Sequence, residues 1–205
     1  MDNSENKTSG GKLFLTSDLH FSHDNIIKYC DRPFPNVKDM NGALINNWNR
    51  VVGPSDIVWV LGDFTLSKDR IFINRTLESL NGQKNLIIGN HDSKACIDSR
   101  HWNSVHELHS ICVGKQTLVM CHYAMRVWYR SHHGSWLTYA HSHGGLPEDN
   151  SLSFDIGVDA WNYTPVSFEQ IKTKMEDKKN AIFVGEKGNV NVRKTNQENN
   201  KKYLK

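Results

Sequence analysis

Nine residues able to bind a cation or move a proton stand where short apolar runs of this chain stop. Leu13-Phe14-Leu15-Thr16-Ser17 ends in Asp18-Leu19-His20, and the run from Asp56 to Leu61 ends in Gly62-Asp63. Leu86-Ile87-Ile88 ends in Gly89-Asn90-His91-Asp92. Gln116 to Cys121 runs into His122, and Leu137 to Ala140 runs into His141-Ser142-His143. In extended backbone, residues two apart point to one face, so Asp18 with His20, and His141 with His143, can each present two donors to one cation. Taken singly these motifs have plainer readings: Asp-x-His as a solvated strand end, Gly-Asn-His-Asp as a polar turn. The chain holds eleven histidines, and six of them (His20, His91, His122, His132, His141 and His143) end apolar runs or lie close by, which favours metal chemistry over scattered surface use.

Positioning these groups requires strands that end together. Leu13 to Ser17, Asp56 to Leu61 and Leu86 to Ile88 read as strands, alternating with helices over 25–29, 37–51 and 68–80. Apolar residues at 37, 40, 44, 45, 48 and 51 follow the helical period, and Ser67 is the expected cap of the third helix, with Ile71, Leu77 and Leu80 facing inward. That alternation implies right-handed crossovers and a parallel sheet. Beyond a short helix before His101, Val105 to Val113 and Gln116 to Cys121 read as two strands about a Gly114-Lys115 turn of type II′, which makes the class mixed α/β. Further strands are expected over 137–140 and 152–158, a capping box at Ser167 and Gln170 opens a helix to about Glu176, and Ala181 to Val184 could add a strand.

The bulk composition is globular, with 38% hydrophobic and 23% charged residues in 205. One domain over 12–185 is expected, between a loose amino-terminal tail (1–11) and a polar carboxyl-terminal tail (186–205). A formal charge of +3 permits an anionic substrate without demanding nucleic acid. Cys30, Cys96, Cys112 and Cys121 lack CxxC spacing, and nothing at the amino end resembles a signal peptide, so reduced thiols in a cytoplasmic protein are expected. No apolar run approaches the roughly 20 residues of a membrane span.

Collected in order, Asp18 and His20, Asp63, Asn90 and His91, His122, then His141 and His143 resemble the signature of the calcineurin-like metallophosphoesterase family: Asp-x-His, Gly-Asp, Gly-Asn-His-Asp/Glu, His, Gly-His-x-His. Val158-Asp159-Ala160-Trp161 and Pro165-Val166 resemble the close of its small bacterial and phage branch. The resemblance implies a β sandwich of mixed sheets flanked by helices and a binuclear metal centre. Asp18, His20 and His143 would hold one metal, Asn90, His122 and His141 the other, and Asp63 would bridge them. Oxygen and imidazole donors without thiolate suit manganese, iron, zinc or nickel and do not select among them; manganese is the first expectation. The activity implied is phosphoester hydrolysis by a metal-bridging hydroxide, with His91 as general acid on the leaving oxygen.

Two positions depart from the family pattern. Leu66 stands where phosphoprotein phosphatases carry the aspartate that supports this histidine, which argues against protein phosphatase activity and leaves Asp92 or the aromatic loop to orient His91. Ala140 replaces the glycine before the His-x-His pair. Arg126, Trp128, Tyr129, Arg130, His132, His133 and Trp136 form a dense run of cations and flat rings, suited either to a nucleotide-like phosphodiester or to packing of a long loop. His23 is a further substrate contact or a surface residue. A phosphodiesterase is the favoured reading; a phosphomonoesterase, a nuclease without a dedicated nucleic-acid-binding domain, or a non-catalytic metal-binding protein are the alternatives. Nothing in the sequence sets the oligomeric state.

Overall fold

The computed structural model describes residues 10–186, so all but residues 10, 11 and 186 of the two expected tails lie outside it. Strand β1 (Leu13–Thr16) leads through helices α1 (Asp24–Tyr29) and α2 (Val37–Val51) to β2 (Ile57–Val60). Helix α3 (Arg70–Ser79) then returns to β3 (Gln83–Ile87), and α4 (Lys94–Ile97) leads to β4 (Ser104–His106). A second group follows: β5 (Leu108–Val113), β6 (Gln116–Cys121), β7 (Trp136–Tyr139) and β8 (Ser153–Asp155). The chain closes with β9 (Val166–Ser167) and α5 (Phe168–Glu186).

These strands make two mixed sheets. The first has the order β4-β3-β2-β1-β9, parallel except for β9, which runs antiparallel to β1. The second has the order β5-β6-β7-β8, with β5 and β6 antiparallel and the rest parallel. Alternate residues of β1 and β2 feed different cores, which is why these strands read as unbroken apolar runs. Phe14, Val58 and Val60 face the helical layer with Met40, Leu44, Trp48 and Ile73. Leu15, Trp59 and Ile87 face the second sheet, where they meet Leu118, Met120, Trp136 and Phe154. Helix α5 seals this inter-sheet core with Ile171 and Met175, one turn apart.

Several expectations need correction. The single strand expected over 105–113 is two, because pairing changes partner at Glu107: His106 aligns with Ile87 in the first sheet and Leu108 with Cys121 in the second. The hairpin turn stands, with Gly114 at positive φ and Lys115 not, as a type II′ turn requires. Helix α3 is capped by Asp69, whose carboxylate accepts the Ile71 and Phe72 amides, and not by Ser67. Ile71 is 64% exposed, and Ile73 takes the inward place. Residues 181–184 continue α5 and do not form a strand. The capping box at the start of that helix is made, Ser167 N–H donating to Gln170 Oε1 and Gln170 N–H to Ser167 Oγ. Among the described residues no helix is long and apolar enough to cross a membrane.

The reassigned cap gives a direct test. Asp69→Ala should lower the unfolding free energy by about 1 kcal/mol in urea titrations, and Ser67→Ala by less than about 0.5 kcal/mol. The reverse order would return the cap to Ser67.

Candidate metal centre

The apolar strands stop at one end of the two sheets, and the chain beyond β1 and β2 stays zipped. Asp18 N–H donates to the Gly62 carbonyl, His20 N–H to Asp63 and Phe21 N–H to Phe64. Two glycines permit a close approach there. A Cβ on Gly62 would stand 2.5 Å from His122 Nδ1, and one on Gly89 would stand 2.5 Å from the Asp63 nitrogen. The ligand candidates also hold unusual backbone. Asp18, His20, Asp63, His141 and His143 all have positive φ, between 49° and 68°. Left-handed backbone in residues other than glycine costs about 1–2 kcal/mol per residue, so five in one cluster mark a site held by its surroundings.

Donor atoms of Asp18, His20 and His143 lie within 4.8 Å of one another, and so do those of Asp63, His122 and His141. Asp63 stands between the groups: its Oδ2 is 3.5 Å from His20 Nε2 and 3.6 Å from His122 Nε2. Its other oxygen, Oδ1, accepts the His91 amide at 2.9 Å. Asp18 divides in the same way, Oδ2 taking the His141 amide at 3.1 Å while Oδ1 is buried without a partner among the described residues. Both ring nitrogens of His20 are buried and unpartnered as well. His122 Nδ1 lies 2.7 Å from the Leu61 carbonyl, which can only accept, so the lone pair is on Nε2. That nitrogen faces Asn90 Oδ1 at 3.1 Å, setting two acceptors against each other, as they would stand around a cation. These unpartnered oxygens and imidazoles fit a divalent metal.

Burial pushes the Asp18 carboxyl up to about 8, with Asp63 adding to the rise and His143 opposing it. His20 is pushed down to about 2 by burial and by the surrounding cationic side chains, His143 first. His122 is also lowered by burial, despite the Asp63 charge and its bond to Leu61. Cys30 has its sulfur near His143 and Asp159, but burial and the Asp159 charge push its thiol up to about 11, so it offers no thiolate.

Three carboxylates brace the ligands, and sequence reasoning missed two of them, Asp155 and Asp159. Asp92 accepts the amides of Asp63 (3.0 Å), Phe64 (2.9 Å) and Gly89 (2.9 Å), clamping the β2 and β3 ends together. Those bonds occupy the carboxylate, so it does not orient His91. Asp155 Oδ2 accepts the Ser142 hydroxyl and the Gly144 amide, fixing the His-x-His turn. Asp159 accepts from His143 Nδ1 at 2.7 Å and from Arg32. The sequence offered Asp159 only as part of a family resemblance and gave Arg32 no role at the site.

His91 is exposed at the mouth, its ring 5.4 Å from His20 and 6.4 Å from the half-buried His23. Leu66 is also exposed. The aromatic run divides in two. Trp136 belongs to β7 and fills the inter-sheet core, and Trp128 packs on the outer face of the second sheet with its indole N–H on the Ser135 carbonyl. Packing is therefore the role of these two indoles, and neither is free to stack on a ligand. Arg126, Tyr129, Arg130, His132 and His133 are exposed. Tyr123, unremarked in the sequence, lies with its ring 4.9 Å from those of both His122 and His141.

An uncharacterized protein of Methanocaldococcus jannaschii is 36% identical to this chain over 172 residues, covering 80% of this chain and 92% of that one. A relative at that level, covered over 92% of its length, decides the kinship. The chain belongs to one family with that archaeal protein, and it carries the ordered signature that resembles the calcineurin-like metallophosphoesterases. No family model matches it. A protein of unknown function from Aquifex aeolicus shares the fold, with TM-score 0.65 at 21% identity over 80% of this chain and 98% of that chain. A phosphoesterase from E. coli is similar more loosely, with TM-score 0.38 at 18% identity over 71% of this chain and 78% of that one.

The direction of the Asp18 shift sets the proton balance of the metal-free protein. A carboxyl raised from 3.8 to about 8 contributes stability fully present below the lower value and lost as pH rises through the higher. His20, lowered from 6.5 to about 2, contributes stability that is present above 6.5 and lost as pH falls toward 2. Adding Mn²⁺ at pH 7 should therefore release about one proton, from Asp18, measured by calorimetry in buffers of different ionisation enthalpy. Asp18→Asn should remove most of that release; no release from the unmodified protein would mean that Asp18 is already ionised.

Proposed function

We propose that this chain is a metal-dependent phosphodiesterase with a binuclear centre: one cation on Asp18, His20 and His143, a second on Asn90, His122 and His141, and Asp63 between them. The observation that carries the reading is the position of Asp63 Oδ2, 3.5 and 3.6 Å from imidazoles of the two groups. When bound, two such cations supply Lewis acidity at a phosphoryl oxygen and an activated water as nucleophile. Oxygen and imidazole donors suit manganese, iron, zinc and nickel alike, and manganese is the choice for a first assay.

The remaining chemistry falls to side chains of this chain. His91 is anchored through its own amide on Asp63 and leaves its ring exposed, so it can donate a proton to the departing oxygen. His23 stands beside it and can donate a hydrogen bond to a non-bridging phosphoryl oxygen. Tyr129, Arg126 and Arg130 offer an exposed ring and two cations, which favours a diester bearing a planar substituent. The four unpaired cysteines support a reducing compartment.

With manganese, bis-p-nitrophenyl phosphate should be hydrolysed faster than p-nitrophenyl phosphate; a clear monoester preference would overturn the diesterase reading. Asp63→Asn should abolish turnover. His91→Ala should lower kcat by about 10²–10⁴-fold on a diester with an alkoxide leaving group and far less with nitrophenolate, which needs no proton. Equal losses on both substrates would remove the general-acid role.

A further inference from the structure

The side chain of Arg32 is 0% exposed, and its partner Asp159 is 7% exposed. The guanidinium places all five of its N–H donors. Nε and Nη2 grip Asp159 Oδ1 and Oδ2, each at 2.8 Å; Nη2 also reaches the Asp18 carbonyl at 2.7 Å; Nη1 reaches the Leu19 carbonyl at 3.1 Å and Met40 Sδ at 3.5 Å. Asp159 Oδ2 then accepts Nδ1 of His143 at 2.7 Å. One buried fork thus touches the backbone of the Asp18-Leu19-His20 turn on one side and the His143 ring on the other. It makes no contact of this kind with Asn90, His122 or His141.

As a stability device this arrangement is poor. Desolvation of a buried ion pair offsets most of its attraction, and an apolar replacement is often neutral or better. Its geometry answers a different need. A carboxylate on Nδ1 fixes the tautomer that leaves Nε2 with the lone pair, and the bidentate fork prevents that carboxylate from turning.

We propose that Arg32 and Asp159 are positioning residues for one of the two metal positions, that of Asp18, His20 and His143, and set its affinity separately from the other. The inference rests on the binuclear reading above. Asp159→Asn keeps the shape of the side chain but removes its charge and one acceptor, so the ring of His143 is released while the three ligands remain.

Manganese binding to the full chain, followed by the electron paramagnetic resonance of free Mn²⁺, tests this together with thermal melts of each variant. The unmodified protein should bind two ions. Asp159→Asn and Arg32→Lys should weaken one of the two by about 10–100-fold and leave the other within about threefold. Failure of the unmodified protein to bind two ions would overturn the metal reading itself. Two ions bound with unchanged affinities in folded variants would overturn this inference alone, and so would equal weakening of both sites. Should neither variant fold, the ¹⁵N spectrum of the unmodified metal-free protein decides, with His143 assigned through His143→Gln. A His143 that carries a proton on Nδ1 supports the brace, and a neutral one with its only proton on Nε2 overturns it.

Discussion

Polar atoms buried without partners are the constraint around which this structure is arranged. Asp18 Oδ1 and the two nitrogens of His20 lie out of water with nothing bonded to them among the described residues. A neutral buried group left in that state costs about 1–3 kcal/mol, and a charged one more. The chain limits the damage by giving four of the ligand candidates a fixed atom and a free one. Asp18 Oδ2, Asp63 Oδ1, His122 Nδ1 and His143 Nδ1 are each tied to protein, and the opposite atom of each side chain is left for the centre. Division of labour within a single carboxylate or imidazole fixes orientation more firmly than packing could, because rotation of the group would break a short bond.

The brace extends outward from there. Asp92 locks the ends of β2 and β3 to each other, Asp155 holds the turn that carries His141 and His143, and the Arg32–Asp159 pair joins that turn to the end of β1. Three acidic side chains at the periphery therefore satisfy backbone amides and donors that the irregular strand ends would otherwise bury unpaired. For Asp92 burial wins over its three amide bonds and pushes the carboxyl up to about 6. For Asp159, bonds from His143 and Arg32 outweigh burial and keep its carboxyl below the usual carboxylate range.

Much of this architecture was readable from residue types, for reasons the structure makes plain. Strands buried on both faces appear as apolar runs, so their ends were visible, and the ligand candidates sit at those ends. Helix α2 spans Val37–Val51 as its apolar spacing required. The unreadable parts share one property, dependence on partners distant in sequence. Arg32 and Asp159 are 127 residues apart, and neither residue announces the other. The break at Glu107 leaves no mark because two short strands in different sheets have the same local pattern as one long strand. Trp128 and Trp136 suited a binding surface by type alone; only the tertiary fold decides that they fill cores. The Ser67 assignment failed for a local reason: a better acceptor, Asp69, stands two residues nearer the helix.

The left-handed backbone at the ligand positions sets a limit on how this protein can be improved. Glycine is the residue that such φ values favour, yet Asp18, His20, Asp63, His141 and His143 occupy them. Relief of backbone strain and retention of donor atoms are thus opposed at the same five sites. A library selected for heat resistance alone has an incentive to discard the donors, and one selected for turnover is obliged to keep the strain. Gains in robustness that leave the centre intact must come from the helical layer and the sheet edges, away from the strand ends.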